Sequence, residues 1–118
     1  MAKSMMYRNV KININSVEGS KSFNNKESPA SQKFLVLDLE MKNTNPSYPV
    51  ILFFAEEVTI FVEKDKTLIK PENYKIENNL DPGQESKGQI WFVVPEAAKK
   101  FKLQFAKTGA KSEVDLKL

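Results

Sequence analysis

Phe34-Leu-Val-Leu-Asp-Leu-Glu-Met-Lys-Asn43 decides the fold class of this 118-residue chain. Leu35, Leu37, Leu39 and Met41 recur at every second position, with Asp38, Glu40 and Lys42 between them. Side chains of an extended strand alternate between faces, so the segment drives an aliphatic ridge into a core and holds a charged row in water. Asn43-Thr-Asn-Pro46 ends it, a turn-forming cluster that cannot extend a ladder. A strand buried on one side only belongs to a sheet with a wet face, which points to an antiparallel β protein.

The same alternation recurs along the chain. Tyr7 to Val17 sets Val10, Ile12 and Ile14 against Lys11, Asn13 and Asn15 and reads as the first strand. Residues 1–6 are expected to be disordered, and 18–32 to form a long exposed loop whose one large apolar residue is Phe23. Val50 to Phe54 is an apolar run, Val58 to Val62 alternates, and Glu63-Lys-Asp-Lys66 reads as a hairpin tip with Thr67-Leu-Ile69 returning. Asp81-Pro-Gly83 is a turn, because proline presets the first dihedral and glycine accepts positive φ. Gly88 to Val94 is apolar on both faces, and Glu96 to Lys100 is expected to form one helical turn. Phe101, Leu103 and Phe105, then Val114, Leu116 and Leu118, supply the last two strands. Seven to eight short strands in one domain, 1–118, predict an all-β antiparallel sandwich with Greek-key connections. Strands 34–43, 58–62, 88–94 and 101–105 are expected at its packed centre.

Composition narrows the chemistry. The chain has no cysteine and no histidine. Disulfides, thiolate sites and histidine-dependent nucleophile systems are therefore excluded, as is the commonest general base. Net charge is +3, from 18 basic and 15 acidic residues. Residues 1–33 and 96–118 are basic, and the intervening 34–95 is acidic. A membrane-surface or polyanion contact through the basic termini is one reading of that pattern, and an ordinary soluble surface is the plainer one. Arg8 is the sole arginine, so base reading by arginine forks, and with it specific nucleic-acid binding, is not expected. No stretch has the roughly 20 apolar residues that span a bilayer. Met1-Ala-Lys-Ser-Met-Met6 lacks the apolar core of a signal peptide, which leaves a cytoplasmic chain and a mature form both open.

Three blocks carry a family resemblance: Met41-Lys-Asn-Thr44, then the stretch from Leu80-Asp-Pro-Gly83 through Gly88-Gln-Ile-Trp-Phe-Val-Val-Pro95, then Glu96-Ala-Ala-Lys-Lys-Phe-Lys-Leu103. In this order the chain resembles the immunoglobulin-like domain DUF4352 of bacterial and archaeal surface lipoproteins, related in fold to secreted mycobacterial antigens. The resemblance spans roughly 34–106. It implies an immunoglobulin-like β-sandwich located extracellularly or in the cell envelope, with any lipid anchor outside this chain, and it implies no catalytic residue.

Candidate binding residues are Trp91, Tyr48 and Phe34. If Ile90, Phe92 and Val94 face inward, Trp91 and Val93 face the other way, as do Phe34 and Val36 opposite their own ridge. The functional reading is an exposed aromatic patch for a partner, a ligand or a second copy of the chain. The plainer reading is that the amino-terminal strand or the long loop covers it. Tyr48, between Pro46 and Pro49, is either a loop-tip contact or a ring packed on its prolines. Glu56 and Glu57 are adjacent and would point apart on a strand. Glu63 and Asp65 are too few for calcium without further oxygen ligands, and no metal or cofactor is expected. Ser86-Lys87 and Ser112 near Lys111 lie in polar turns, which gives no depressed lysine to activate a serine. Met1, Met5, Met6 and Met41 do not form a soft-metal site. The expected function is thus a non-enzymatic interaction domain that binds a protein or surface polymer. A carbohydrate or small-molecule module stacking ligand on exposed aromatics is the alternative.

Overall fold

The structure, a computed structural model, describes residues 3–63 and 67–118. Its elements in order are β1 Lys3–Tyr7, β2 Val10–Ser20, β3 Ser22–Phe23, β4 Lys26–Glu27, β5 Gln32–Asn43 and β6 Val50–Ile51. There follow α1 Phe54–Glu57, β7 Val58–Val62, β8 Leu68–Ile69, β9 Asn73–Lys75 and β10 Asn79–Leu80. The chain closes with β11 Glu85–Pro95, β12 Lys100–Lys107 and β13 Ala110–Lys117. A five-stranded sheet, β1-β2-β5-β11-β9, faces a four-stranded one, β13-β12-β7-β8, and every pairing is antiparallel. This is a β-sandwich.

The ridges face as their spacing requires. Leu35, Leu37, Leu39 and Met41 of β5 are buried with Ile90, Phe92 and Val94 of β11. Opposite them lie Val58, Ile60 and Val62 of β7 and Phe101, Leu103 and Phe105 of β12. Val10, Ile12 and Ile14 continue the inner face on β2, and a bulge between Ile14 and Ser16 absorbs Asn15. With one residue absorbed, Val17 returns to the inner face opposite Leu37. Gly88 of β11 sits where a Cβ would come within 2.0 Å of the Lys75 carbonyl oxygen, so glycine lets β9 close against the strand.

The all-β antiparallel sandwich stands as expected, with short two-residue pairings bringing the strands of the described residues to thirteen. Several expectations are corrected. Residues 3–6 of the expected disordered terminus form β1, which pairs along β2; Met1 and Ala2 lie outside the described residues. The first strand therefore does not begin at Tyr7: Arg8 and Asn9, at φ 48° and 64°, turn the chain between β1 and β2. Positive φ at both central residues is the hairpin geometry whose twist matches the strands. The 18–32 segment is likewise not one loop. β2 runs on to Ser20, and Asn24 and Asn25, at φ 54° and 64°, make a second tight hairpin, β3–β4. The Val50–Phe54 run breaks after Ile51 into the helical turn α1, so Glu56 and Glu57 are not on a strand. The expected helical turn at Glu96 to Lys100 is instead a tight turn at Glu96 and Ala97, closed by the Ala98 amide on the Pro95 carbonyl, with Lys100 already in β12. β8 does return along β7, but residues 64–66 of the hairpin tip, Asp65 included, lie outside the described residues.

Candidate functional site

The outer face of the five-stranded sheet is divided along its length. Register places Lys11, Lys42 and Glu85 in one cross-strand row, and Asn13, Glu40 and Lys87 in the next. Lys87 lies 3.3 Å from Glu40, and Asn15 donates to the same carboxylate at 2.9 Å. Those two hydrogen bonds, Asn15 first, hold the Glu40 carboxyl below its ordinary range. Further along the strands the rows turn apolar: Val36 opposite Trp91, then Phe34 opposite Val93.

This apolar half is not open. The β3–β4 hairpin folds over it, and the Phe23 ring lies 4.9 Å from the ring of Trp91 and 6.3 Å from that of Phe34. Trp91 is left 6 % exposed and Phe34 4 %. Both are candidates, by sequence, for an exposed patch. The structure buries them in a second, small cluster with Val36, because one half-buried phenylalanine in a polar segment suffices to roof the sheet.

Tyr48 has the opposite environment. It is 70 % exposed, so its ring does not fold away on Pro46 and Pro49. The loop that carries it is braced from below. Asn43, fully buried at the end of β5, donates to the Tyr48 carbonyl at 2.9 Å and the Leu80 carbonyl at 3.0 Å. Its side-chain oxygen accepts the Asn45 amide, and Asn45 in turn accepts the amides of Ser47 and Tyr48. Asx hydrogen bonds of this kind fix a turn without help from secondary structure. Gly83, at φ 78°, completes the neighbouring turn and donates its amide to the Asn43 carbonyl.

Two further large apolar side chains follow Tyr48 in sequence, Ile51 at 41 % and Phe53 at 51 % exposed. A buried carboxylate fixes their backbone. Glu57 accepts the Phe53 amide at 2.7 Å through one oxygen, reaching back four residues to the start of the helical turn. Its other oxygen accepts the Tyr7 hydroxyl at 2.7 Å and Arg8 Nη1 at 2.9 Å, and Arg8 also donates to the Ile51 carbonyl. Burial by itself pushes the Glu57 carboxyl up. The Phe53 amide, Tyr7 and Arg8 together outweigh it and leave the group below its ordinary value. Burial, followed by the hydrogen bond to Glu57, pushes the Tyr7 hydroxyl up. Sequence reading misses Asn43 and Glu57 as organisers of this end. The one available signal is Arg8, a lone arginine at a turn, which needs a carboxylate partner when partly buried.

The described residues contain no helix long and apolar enough to cross a membrane and no group of three acidic, histidine or cysteine side chains that could hold a metal. Ser86 is buried and donates to the Glu77 carbonyl, and Ser112 donates to the Met6 carbonyl, so each hydroxyl serves the backbone.

A family described as a domain of unknown function, DUF4352, matches residues 2–114. No curated protein matches. Among solved structures, the chain is similar to a Bacillus subtilis protein provisionally classed as a lipoprotein (ycdA), with 16 % identity and a TM-score of 0.72 over 98 % of this chain. The chain spans only 38 % of that protein's length. It is also similar to an uncharacterised β-sandwich protein of Clostridium difficile, with 14 % identity and a TM-score of 0.63 over 98 % of this chain and 90 % of the other. A functionally unknown protein of Listeria monocytogenes gives 14 % identity and a TM-score of 0.65 over 98 % of this chain and 80 % of the other. At these identities the likeness is one of fold.

Proposed function

From the premise that this chain belongs to the DUF4352 family, we propose that it is a non-enzymatic interaction domain of the cell envelope. It binds a protein or surface polymer through the end of the sandwich that presents Tyr48, Ile51 and Phe53. The observation that carries the reading is the combination of three large exposed apolar side chains with a fully hydrogen-bonded scaffold beneath them. A loop already held in place loses little entropy on binding, and exposed aromatics supply most of the contact energy in such interfaces. The lipoprotein-like Bacillus relative favours an envelope location.

An immunoglobulin-like assignment agrees with the strand order. β2-β5-β11-β9 corresponds to A-B-E-D and β13-β12-β7-β8 to G-F-C with one added strand, and domains of this architecture bind through their end loops. The alternative, a carbohydrate module, rests, among the aromatics singled out in the sequence, on Tyr48 as a stacking platform, since Trp91 and Phe34 are roofed by Phe23.

The test is cosedimentation with purified bacterial envelope fragments, intact and protease-treated. Wild type is expected in the pellet and the Tyr48→Ser/Phe53→Ser variant in the supernatant. Protease sensitivity assigns the partner to protein, and resistance to polymer. Equal behaviour of the two proteins would overturn the proposal. Calorimetric titration with cell-wall sugars, with Tyr48→Ser as control, tests the alternative.

A further inference from the structure

The molecule measures 46 × 29 × 25 Å, and strands of 11 and 12 residues at about 3.3 Å each account for the long axis. The sandwich therefore has two ends. The end away from Tyr48 is where β5 and β11 close at Gln32 opposite Pro95, and β12 and β13 at Lys100 opposite Lys117. Lysines from both sheets converge there. Lys21 donates to the Gln32 carbonyl, Lys33 to the Ala98 carbonyl, and the Lys99 carbonyl accepts the Leu118 amide. The basic first and last segments of the chain thus meet in space.

These charges are poorly compensated. Lys100 and Lys117 lie directly across a strand pair, a like-charge arrangement that costs stability. Lys33 is pushed below its ordinary value, by burial first and by Lys99 second. The carboxylates at this end, among the described residues, include Glu27, Glu63 and Glu96, and Glu96 lies 3.5 Å from Lys21. Among the described residues no carboxylate lies within ion-pair distance of Lys99, Lys100 or Lys117. A cavity of about 420 Å³ opens beside Lys99 and Lys100, walled by Val62, Glu63, Ala97 and Ala98.

We propose that this lysine-rich end docks on an anionic lipid surface, with the sandwich standing on it and the Tyr48 end directed away. Lysine ammoniums are hydrated point charges that need no stereochemical match, which suits a diffuse layer of headgroup phosphates. The lysines come from two sheets and the turn between them. Lys33 belongs to one sheet and Lys100 and Lys117 to the other, so a flat surface laid across this end meets lysines of both. The inference is independent of the Tyr48 contact and concerns a different surface.

The test is sedimentation with vesicles of phosphatidylglycerol and phosphatidylcholine, against phosphatidylcholine alone, at low and high salt. Wild type is expected to bind the anionic vesicles and to leave them at high salt. Each lysine near such a surface contributes about a fivefold gain in affinity, so Lys99→Gln/Lys100→Gln/Lys117→Gln weakens binding roughly a hundredfold. The equally neutralised Lys42→Gln/Lys75→Gln/Lys107→Gln, remote from that end, is expected to bind almost as wild type, and Tyr48→Ser to bind unchanged. Three results would overturn the proposal: no binding to anionic vesicles at low salt, equal loss in both triple variants, or binding to soluble polyphosphate without binding to vesicles.

Discussion

Glu57→Gln isolates the bond network that fixes the Tyr48 end. The carboxylate accepts three donors, the Tyr7 hydroxyl and Arg8 through one oxygen and the Phe53 amide through the other. Glutamine keeps the volume but offers one oxygen and one amide group. Whichever way it is turned, at least one N–H is confronted by another donor, and the charge assistance from Arg8 is gone. An unsatisfied buried donor costs about 1–3 kcal/mol, and a hydrogen bond to a charged group contributes about 1.5–3 kcal/mol. Arg8 is partly exposed and recovers some hydration, so a total of about 2–4 kcal/mol is expected. Urea unfolding at neutral pH measures it. Because the Glu57 carboxyl is held below its ordinary value in the folded state, its contribution is complete above the unfolded value of about 4.3 and is lost as pH falls through the folded one. Wild type and variant should therefore converge in stability in strongly acidic solution. Tyr7→Phe should cost less when combined with Glu57→Gln than in wild type, since the hydroxyl has then already lost an ionised acceptor. A cost below about 1 kcal/mol at neutral pH, or a difference that does not shrink with acid, would refute the argument.

Leu37→Ala and Phe92→Ala each remove a fully buried side chain from the inter-sheet core and should cost about 2–5 kcal/mol by urea unfolding. Losses below about 1 kcal/mol at both would mean the inner faces are misassigned. Phe23→Ala unroofs Trp91, so its emission should shift to the red and acrylamide quenching should rise with the fold intact. An unchanged spectrum would show that Phe23 is not the cover. Gly88→Ala drives a methyl group into the Lys75 carbonyl and the Ile76 side chain, and should cost about 1–3 kcal/mol while speeding amide exchange in β9. Exchange at the wild-type rate would show that β9 does not close on this residue.

The inward ridges are legible in the sequence because period-two alternation needs no tertiary information: β5, β7, β11 and β12 all bury the side chains their spacing selects. Asp81-Pro-Gly83 is equally readable, since its residues specify the turn by themselves. The hairpins at Arg8-Asn9 and Asn24-Asn25 are not, because asparagine takes positive φ in many settings without marking a hairpin, and β1 and β3 are too short or too polar to announce themselves. Alternation places Trp91 and Phe34 on the correct face, but what covers that face is set by Phe23, more than ten residues before Phe34 in sequence and about seventy before Trp91. Asn43 reads in sequence only as a breaker of β5, and its buried amide becomes visible only with the Tyr48 and Leu80 carbonyls in place. Glu57 escapes sequence reading because a helical turn interrupts an apolar run that by pattern alone continues as a strand.

The Phe23 hairpin shares no side-chain cluster with the inter-sheet core: Phe34, Val36 and Trp91 form one body and the sandwich interior another. A segment attached in this way can diverge on its own. Its length, its ring and the charge of Lys26 can be exchanged while the ridges that specify the fold stay as they are. The roof over the five-stranded sheet is therefore a place where such domains can acquire different surface chemistry by changing one short stretch. It is also a natural graft point, where a foreign loop carrying one aromatic anchor would be displayed without disturbing the interior.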